Sequence, residues 1–208
     1  MIARSLNDRG QAFPIYAVAI VGLLFAALAF FAFGQASVVR SDAQGAADAA
    51  ALAAAGDARD HLLPGMDLVK AKPEDWQDIL DGKAFDMEGV CGVAEDFAEL
   101  NKASGTCTRS GLRFVVQVTT DGTVGDSVVP GTSEIHGRAR AEAQIVPRCE
   151  LGPAPGPSTT PSPSPTASPV PGPVALSCKG EKTITYDPLN PDPWSTLARR
   201  LFDVRLVN

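Results

Sequence analysis

The pattern of apolar and polar positions divides this chain into unlike parts. Residues 12–33 (AFPIYAVAIVGLLFAALAFFAF) carry no charged side chain. A helix of that length crosses roughly the 30 Å hydrocarbon core of a bilayer. Pro14 falls in its first turn, where the missing N–H costs little. Tyr16 at one end and Phe30, Phe31 and Phe33 at the other suit the two interfaces. The block is longer than the apolar core of a cleaved secretory signal, so a retained anchor is expected. Residues 37–55 (SVVRSDAQGAADAAALAAA) continue in the best helix former. Ser37, Ser41, Gln44 and Asp48 fall on one helical face; Val39, Ala43, Ala46, Ala50 and Ala53 fall on another. One helix is therefore predicted from the membrane block through an amphipathic stem to about Asp60.

Beyond the stem the period changes. Trp76, Ile79 and Leu80 suggest a short amphipathic helix within a loop-rich stretch. Val90, Val93, Ala94, Phe97 and Leu100 recur at helical spacing and predict a helix over 89–102. Residues 111–120 (GLRFVVQVTT) read as a strand, closed by the turn signal Asp121-Gly122, with a second strand at 124–129. Over 133–146, Ile135, Gly137, Ala139, Ala141, Ala143 and Ile145 alternate with His136, Arg138, Arg140, Glu142 and Gln144, the mark of a half-buried antiparallel strand. Residues 182–186 and 202–207 are further short strands, with a brief helix at 194–201 between them. Helix followed by consecutive strands predicts an α+β fold: a transmembrane helix and stem, then a small antiparallel β-sheet domain outside the membrane.

Proline changes the picture once. Nine of the chain's 17 prolines fall in residues 151–173 (LGPAPGPSTTPSPSPTASPVPGP). Such a stretch forms neither core nor ladder and reads as a polyproline-like loop or spacer, its Ser and Thr residues open to O-glycosylation. The expected organisation is a leader (1–10), helix and stem (11–60), an α+β region (61–150), the Pro-rich loop (151–173) and C-terminal strands of the same domain (174–208).

Charge and cysteines narrow the function. The net charge of −6 argues against a nucleic-acid partner. Residues 57–99 hold twelve of the 24 acidic residues against four basic ones; Asp81, Asp86 and Glu88 lack EF-hand spacing, so a solvated acidic surface is the better reading than calcium. Cys91, Cys107, Cys149 and Cys178 all follow the membrane block. No pair has CxxC spacing, so two disulfides are expected rather than zinc. Three connectivities are open; the sequence-local pairs Cys91–Cys107 and Cys149–Cys178 are favoured. Arg4 and Arg9 precede the block, while Arg40 is offset by Asp42, which favours a cytoplasmic N-terminus and an extracytoplasmic domain at the cell membrane. His61 and His136 lack a partnering nucleophile, and no catalytic motif occurs. Neither enzyme, cofactor, metal nor small-molecule substrate is expected.

The run from Asp8 to Asp60 resembles the N-terminal region of TadE/TadG-like proteins of Flp (tight-adherence, Tad) pilus assembly systems. Arg9-Gly10-Gln11-Ala12 before the apolar block and Gln44-x-x-Ala47-Asp48-Ala49-Ala50-Ala51-Leu52 in the stem carry the likeness. The remainder is similar to the C-terminal part of high-GC Gram-positive members, without so sharp a motif. The resemblance implies a non-catalytic component of pilus assembly or secretion whose partners are membrane lipid and other pilus assembly membrane proteins. Pilin-type precursors are cut after a glycine and carry Glu five residues on. Gly10 and Gln11 flank the corresponding bond, but Ile15 stands at the fifth position, which favours an uncleaved anchor. Gly22, Ala26 and Ala29 in the membrane, and Ala43, Ala46, Ala50 and Ala53 outside it, form the candidate helix-packing stripe. For the stem residues the alternative is packing against the chain's own sheet. A different reading of the whole is an exported, membrane-anchored module that binds a surface or the cell wall.

Overall fold

The computed structural model describes residues 12–61, 68, 70–83, 87–125, 130–153, 172–180 and 183–207. One helix, α1 (Ala12–His61), holds 50 residues and runs about 75 Å at 1.5 Å per residue. Gly22, Gly34, Gly45 and Gly56 all lie within it without a break. Two further helices follow, α2 (Pro73–Leu80) and α3 (Val90–Leu100). Pro73 opens α2, and the backbone N–H of Lys72 donates to the Asp75 carboxylate at 2.7 Å.

The main sheet has four antiparallel strands in the order β1-β2-β3-β7: β1 (Ala103–Ser110), β2 (Arg113–Thr123), β3 (His136–Pro147) and β7 (Phe202–Leu206). A smaller antiparallel sheet joins β4 (Cys149–Leu151), β5 (Val174–Cys178) and β6 (Ile184–Tyr186). Helix α4 (Trp194–Leu201) feeds directly into β7. The fold is α+β, a long apolar N-terminal helix with a small antiparallel domain built on its far half.

The core lies between the main sheet and the helices α1, α3 and α4. Phe114, Val116, Val118 and Thr120 of β2 point inward, as do Gly137, Ala141, Ala143 and Ile145 of β3. The opposite face stays polar, with Arg113 donating to Glu142 across strands at 2.7 Å. Small residues on β3 let α1 come close. A Cβ added at Gly137 would collide with the Val39 carbonyl oxygen and stand 3.1 Å from Ala43 Cβ. Trp76 of α2 lies fully buried against Tyr186 of β6, ring centroids 4.9 Å apart.

Several expected elements differ. The segment 103–110 was not expected to be a strand, because its Ser, Gly and Thr residues show no apolar alternation. It is made one by a two-residue hairpin at Gly111 (φ 57°), which pairs Ser110 with Arg113. Asp121-Gly122 is not a hairpin turn. It lies within β2 at a register irregularity between Thr119 and Thr123, where Thr120 Oγ1 accepts from the Gly137 N–H at 2.9 Å and donates to the Gly122 carbonyl at 2.7 Å. Of the expected strand 124–129, Val124 and Gly125 are not extended into a ladder, and 126–129 lie outside the described residues. The strand expected from Ser133 begins at His136, because residues 132–134 form a 3₁₀ turn; Ile135 is 52% exposed. Strands β4 and β5 have no signature of their own. They pair with each other, Leu151 opposite Leu176. Most of the Pro-rich loop expected between them lies outside the described residues.

Candidate functional site

Among the described residues no three His, Cys, Asp or Glu side chains converge as metal ligands. The helix α1 has two unlike halves. From Phe13 to Val38 its large apolar side chains face outward on all sides: Leu23, Phe25 and Phe30 are exposed at 71%, 74% and 84%. It is the one helix among the described residues long and apolar enough to cross a membrane, and none of that apolar window is buried by the rest of the chain.

From Val39 upward the helix is sheathed. Ala43, Ala46, Ala47, Ala50, Ala51, Ala54, Ala55 and Ala58 are buried in the core. Of the predicted outer stripe, Ala43, Ala46 and Ala50 are thus occupied by the chain's own sheet and helices, and Ala53 is half-buried. The true buried face runs through Ala47, Ala51, Ala54 and Ala58 as well. An alanine-rich helix hides this, because nearly every position fits either face. Of the membrane stripe, Gly22 and Ala26 are exposed and Ala29 is half-buried. A Cβ at Gly22 would meet nothing within 4 Å. Gly10 and Gln11, the candidate cleavage point, lie outside the described residues.

Polar and covalent ties fix the domain to the helix. Asp60 at the far end of α1 receives Arg199 of α4, from Nη2 at 2.6 Å and Nε at 3.2 Å. Hydrogen bonding to Arg199 holds the Asp60 carboxyl below its ordinary value; partial burial opposes this, and Arg59 adds to it. The same contact raises the Arg199 guanidinium. Cys91 of α3 is bonded to Cys107 of β1, Cα atoms 5.4 Å apart. Cys149 of β4 is bonded to Cys178 of β5, directly opposite in the ladder. Each disulfide thus joins elements that are already neighbours. His136 Nδ1 lies 2.7 Å from the Thr120 carbonyl oxygen, at the β2 irregularity, and is used structurally.

One bare apolar helix continuing without interruption into an α+β domain defines the class: a protein with, among the described residues, one candidate membrane span and a C-terminal folded domain. Residues 10–57 match the Tad family, described as Flp pilus-assembly TadE/G-like. The match covers the span and most of the stem, and ends four residues before the helix does. The resemblance read from Arg9-Gly10-Gln11 and the stem is thereby shown for this segment. No curated protein and no solved structure matches the chain.

Proposed function

We propose that this protein is a non-catalytic, single-pass membrane component of Flp-type pilus assembly, and that the half of α1 below Val39 docks with other assembly membrane proteins. The observation that carries this reading is the division of α1. The TadE/G-like segment contains both halves, yet the domain covers only the upper one. In a bilayer there is little hydrophobic drive between helices, so association depends on close packing at small residues. Gly22, Ala26 and Ala29 offer that surface, with lipid covering the rest. The domain lies outside the cytoplasm in this reading, supported by the two disulfides and the basic N-terminal flank. Ile15 favours a chain that keeps its leader and stays in the membrane.

The test replaces Gly22 and Ala26 with Leu and compares partner crosslinking and surface piliation with wild type at equal protein level. Loss of both is expected. Unchanged crosslinking and piliation would end the docking reading, and a mature N-terminus at Gln11 would end the uncleaved form.

A further inference from the structure

We infer that the domain rests on the bilayer: its lower rim, carrying Leu100 and Ile135, sits in the lipid headgroup layer beside the point where α1 leaves the membrane. This rests on the reading of residues 12–33 as a span and is independent of which side the domain occupies.

The argument is one of height along a straight helix. Phe33 ends the apolar block, and each residue beyond it adds about 1.5 Å. Gln35 is therefore about 3 Å, and Val39 about 9 Å, past the edge of the hydrocarbon. The headgroup and interfacial layer is about 5–8 Å deep on each side. The domain's close approach to α1 at Val39 thus falls at the upper edge of that layer, and whatever hangs below Val39 reaches into it. A cleft of about 750 Å³ opens between α1 and the domain, running along α1 from Gln35 up to Ala46, with Leu100, Lys102 and Thr123 on its other wall. On the same side, Gly137 at the start of β3 abuts Val39. The far end of the domain meets α1 much higher, where Arg199 reaches Asp60.

The side chains of this rim suit such a place. Leu100 is 77% exposed, although it ends a helix whose other face is buried. Val38 and Ile135 are also more than half exposed. Leu100 and Ile135 lie on separate elements, the end of α3 and the start of β3, and the fold brings both to the membrane side. Charge does not select one lipid. The charges of this end are mixed in sign, Arg40 and Lys102 with Asp42, Asp121 and Glu134. That mixture fits a layer of phosphates, amines and water, and gives the apolar residues the main part. Continuity with the span commits the occupant: the surface nearest this rim is the bilayer that α1 has just left.

The experiment places single nitroxide labels on new cysteines in the full chain, reconstituted in vesicles of phosphatidylethanolamine and phosphatidylglycerol. The four native cysteines are disulfide-bonded and stay unlabelled without reductant. The sites are Leu28→Cys in the span, Leu100→Cys and Ile135→Cys at the rim, and Arg109→Cys at the opposite end of β1. Accessibility to oxygen is compared with accessibility to a water-soluble nickel chelate. Oxygen should dominate at 28, and nickel at 109. At 100 and 135 nickel access should fall several-fold below that at 109. If 28 is oxygen-dominated while 100 and 135 match 109, the span stands and the resting domain is wrong. If 28 is open to nickel, the span itself is wrong and the inference falls with it.

Discussion

Below Val39, α1 carries Phe, Leu, Ile and Val and turns them outward on every side; above it, the same helix carries alanine and turns it inward. The backbone is helical throughout, so the difference lies in the surroundings. Large exposed apolar residues are a cost in water and a match to lipid. Small buried residues gain little area each, about 0.8 kcal/mol for a methyl-sized group, and hold a helix only where its neighbour comes very close. Gly137 and the alanines of β3 provide that closeness. The comparison teaches that small residues on a helix do not by themselves mark a surface for partners. In the upper half they are already in use; in the lower half a Cβ at Gly22 would meet nothing within 4 Å, and Ala26 is exposed.

The strongest way to break the upper half should be to remove its covalent ties. Replacing Cys149 and Cys178 with Ser should cost about 3–4 kcal/mol in the chain-entropy account of the loop they close, and the Cys91–Cys107 pair about 3 kcal/mol. Denaturant unfolding in detergent, followed by the near-ultraviolet signal, would measure this. The helical signal of the lower half should persist through the transition. An equal loss from both halves would show that they do not unfold separately.

A matched pair of substitutions sharpens the contrast. Ala50→Leu should destabilise the domain by about 1–3 kcal/mol through overpacking, and Gly137→Ala should act in the same direction by pushing α1 off the sheet. Ala26→Leu, the same chemistry in the lower half, should leave the unfolding midpoint unchanged. A shift of the midpoint by Ala26→Leu would mean that the lower half also packs within its own chain.

The smallest effect should come from the polar tie at the top of α1. Asp60 has a lowered carboxyl pKa in the fold, so its contribution is fully present above the unfolded carboxylate range, near pH 4, and is lost as pH falls through its folded value. Arg199→Ala should remove that acid-side dependence while leaving the neutral-pH fold intact. An unchanged acid limb in a pH series of unfolding midpoints would count against the pairing.

How far the sequence could be read follows from what kind of signal each element carries. The helix α1 was legible from 22 uncharged residues and an alanine run, and it ends one residue past the expected Asp60. The helix α3 and the alternation of β3 were legible because their periods repeat. Strand β1 was not, since Ser104, Gly105, Thr106 and Thr108 form a polar edge whose strand character comes from pairing with β2. Strands β4 and β5 are only three and five residues long, and each exists through the other and through Cys149–Cys178. The Asp121-Gly122 signal was real, but backbone that tolerates a tight turn also tolerates a bulge, and the buried Thr120 hydroxyl decides for the bulge. For the candidate site, position along the helix was readable and its buried side was not, because alanine at nearly every position of 43–58 leaves the phase of the face to the sheet that packs on it.

The passage of α1 from Phe33 to Val39 is unbroken helix. Gly34 lies in this stretch, yet the helix runs through it and no loop stands between the apolar block and the domain. The angular position of the sheet around the membrane normal is set by residue count alone: one residue inserted near Gly34 would swing it by about 100° and raise it by about 1.5 Å. Any neighbour that grips both the span and the domain therefore meets them at an azimuth that the helix sets.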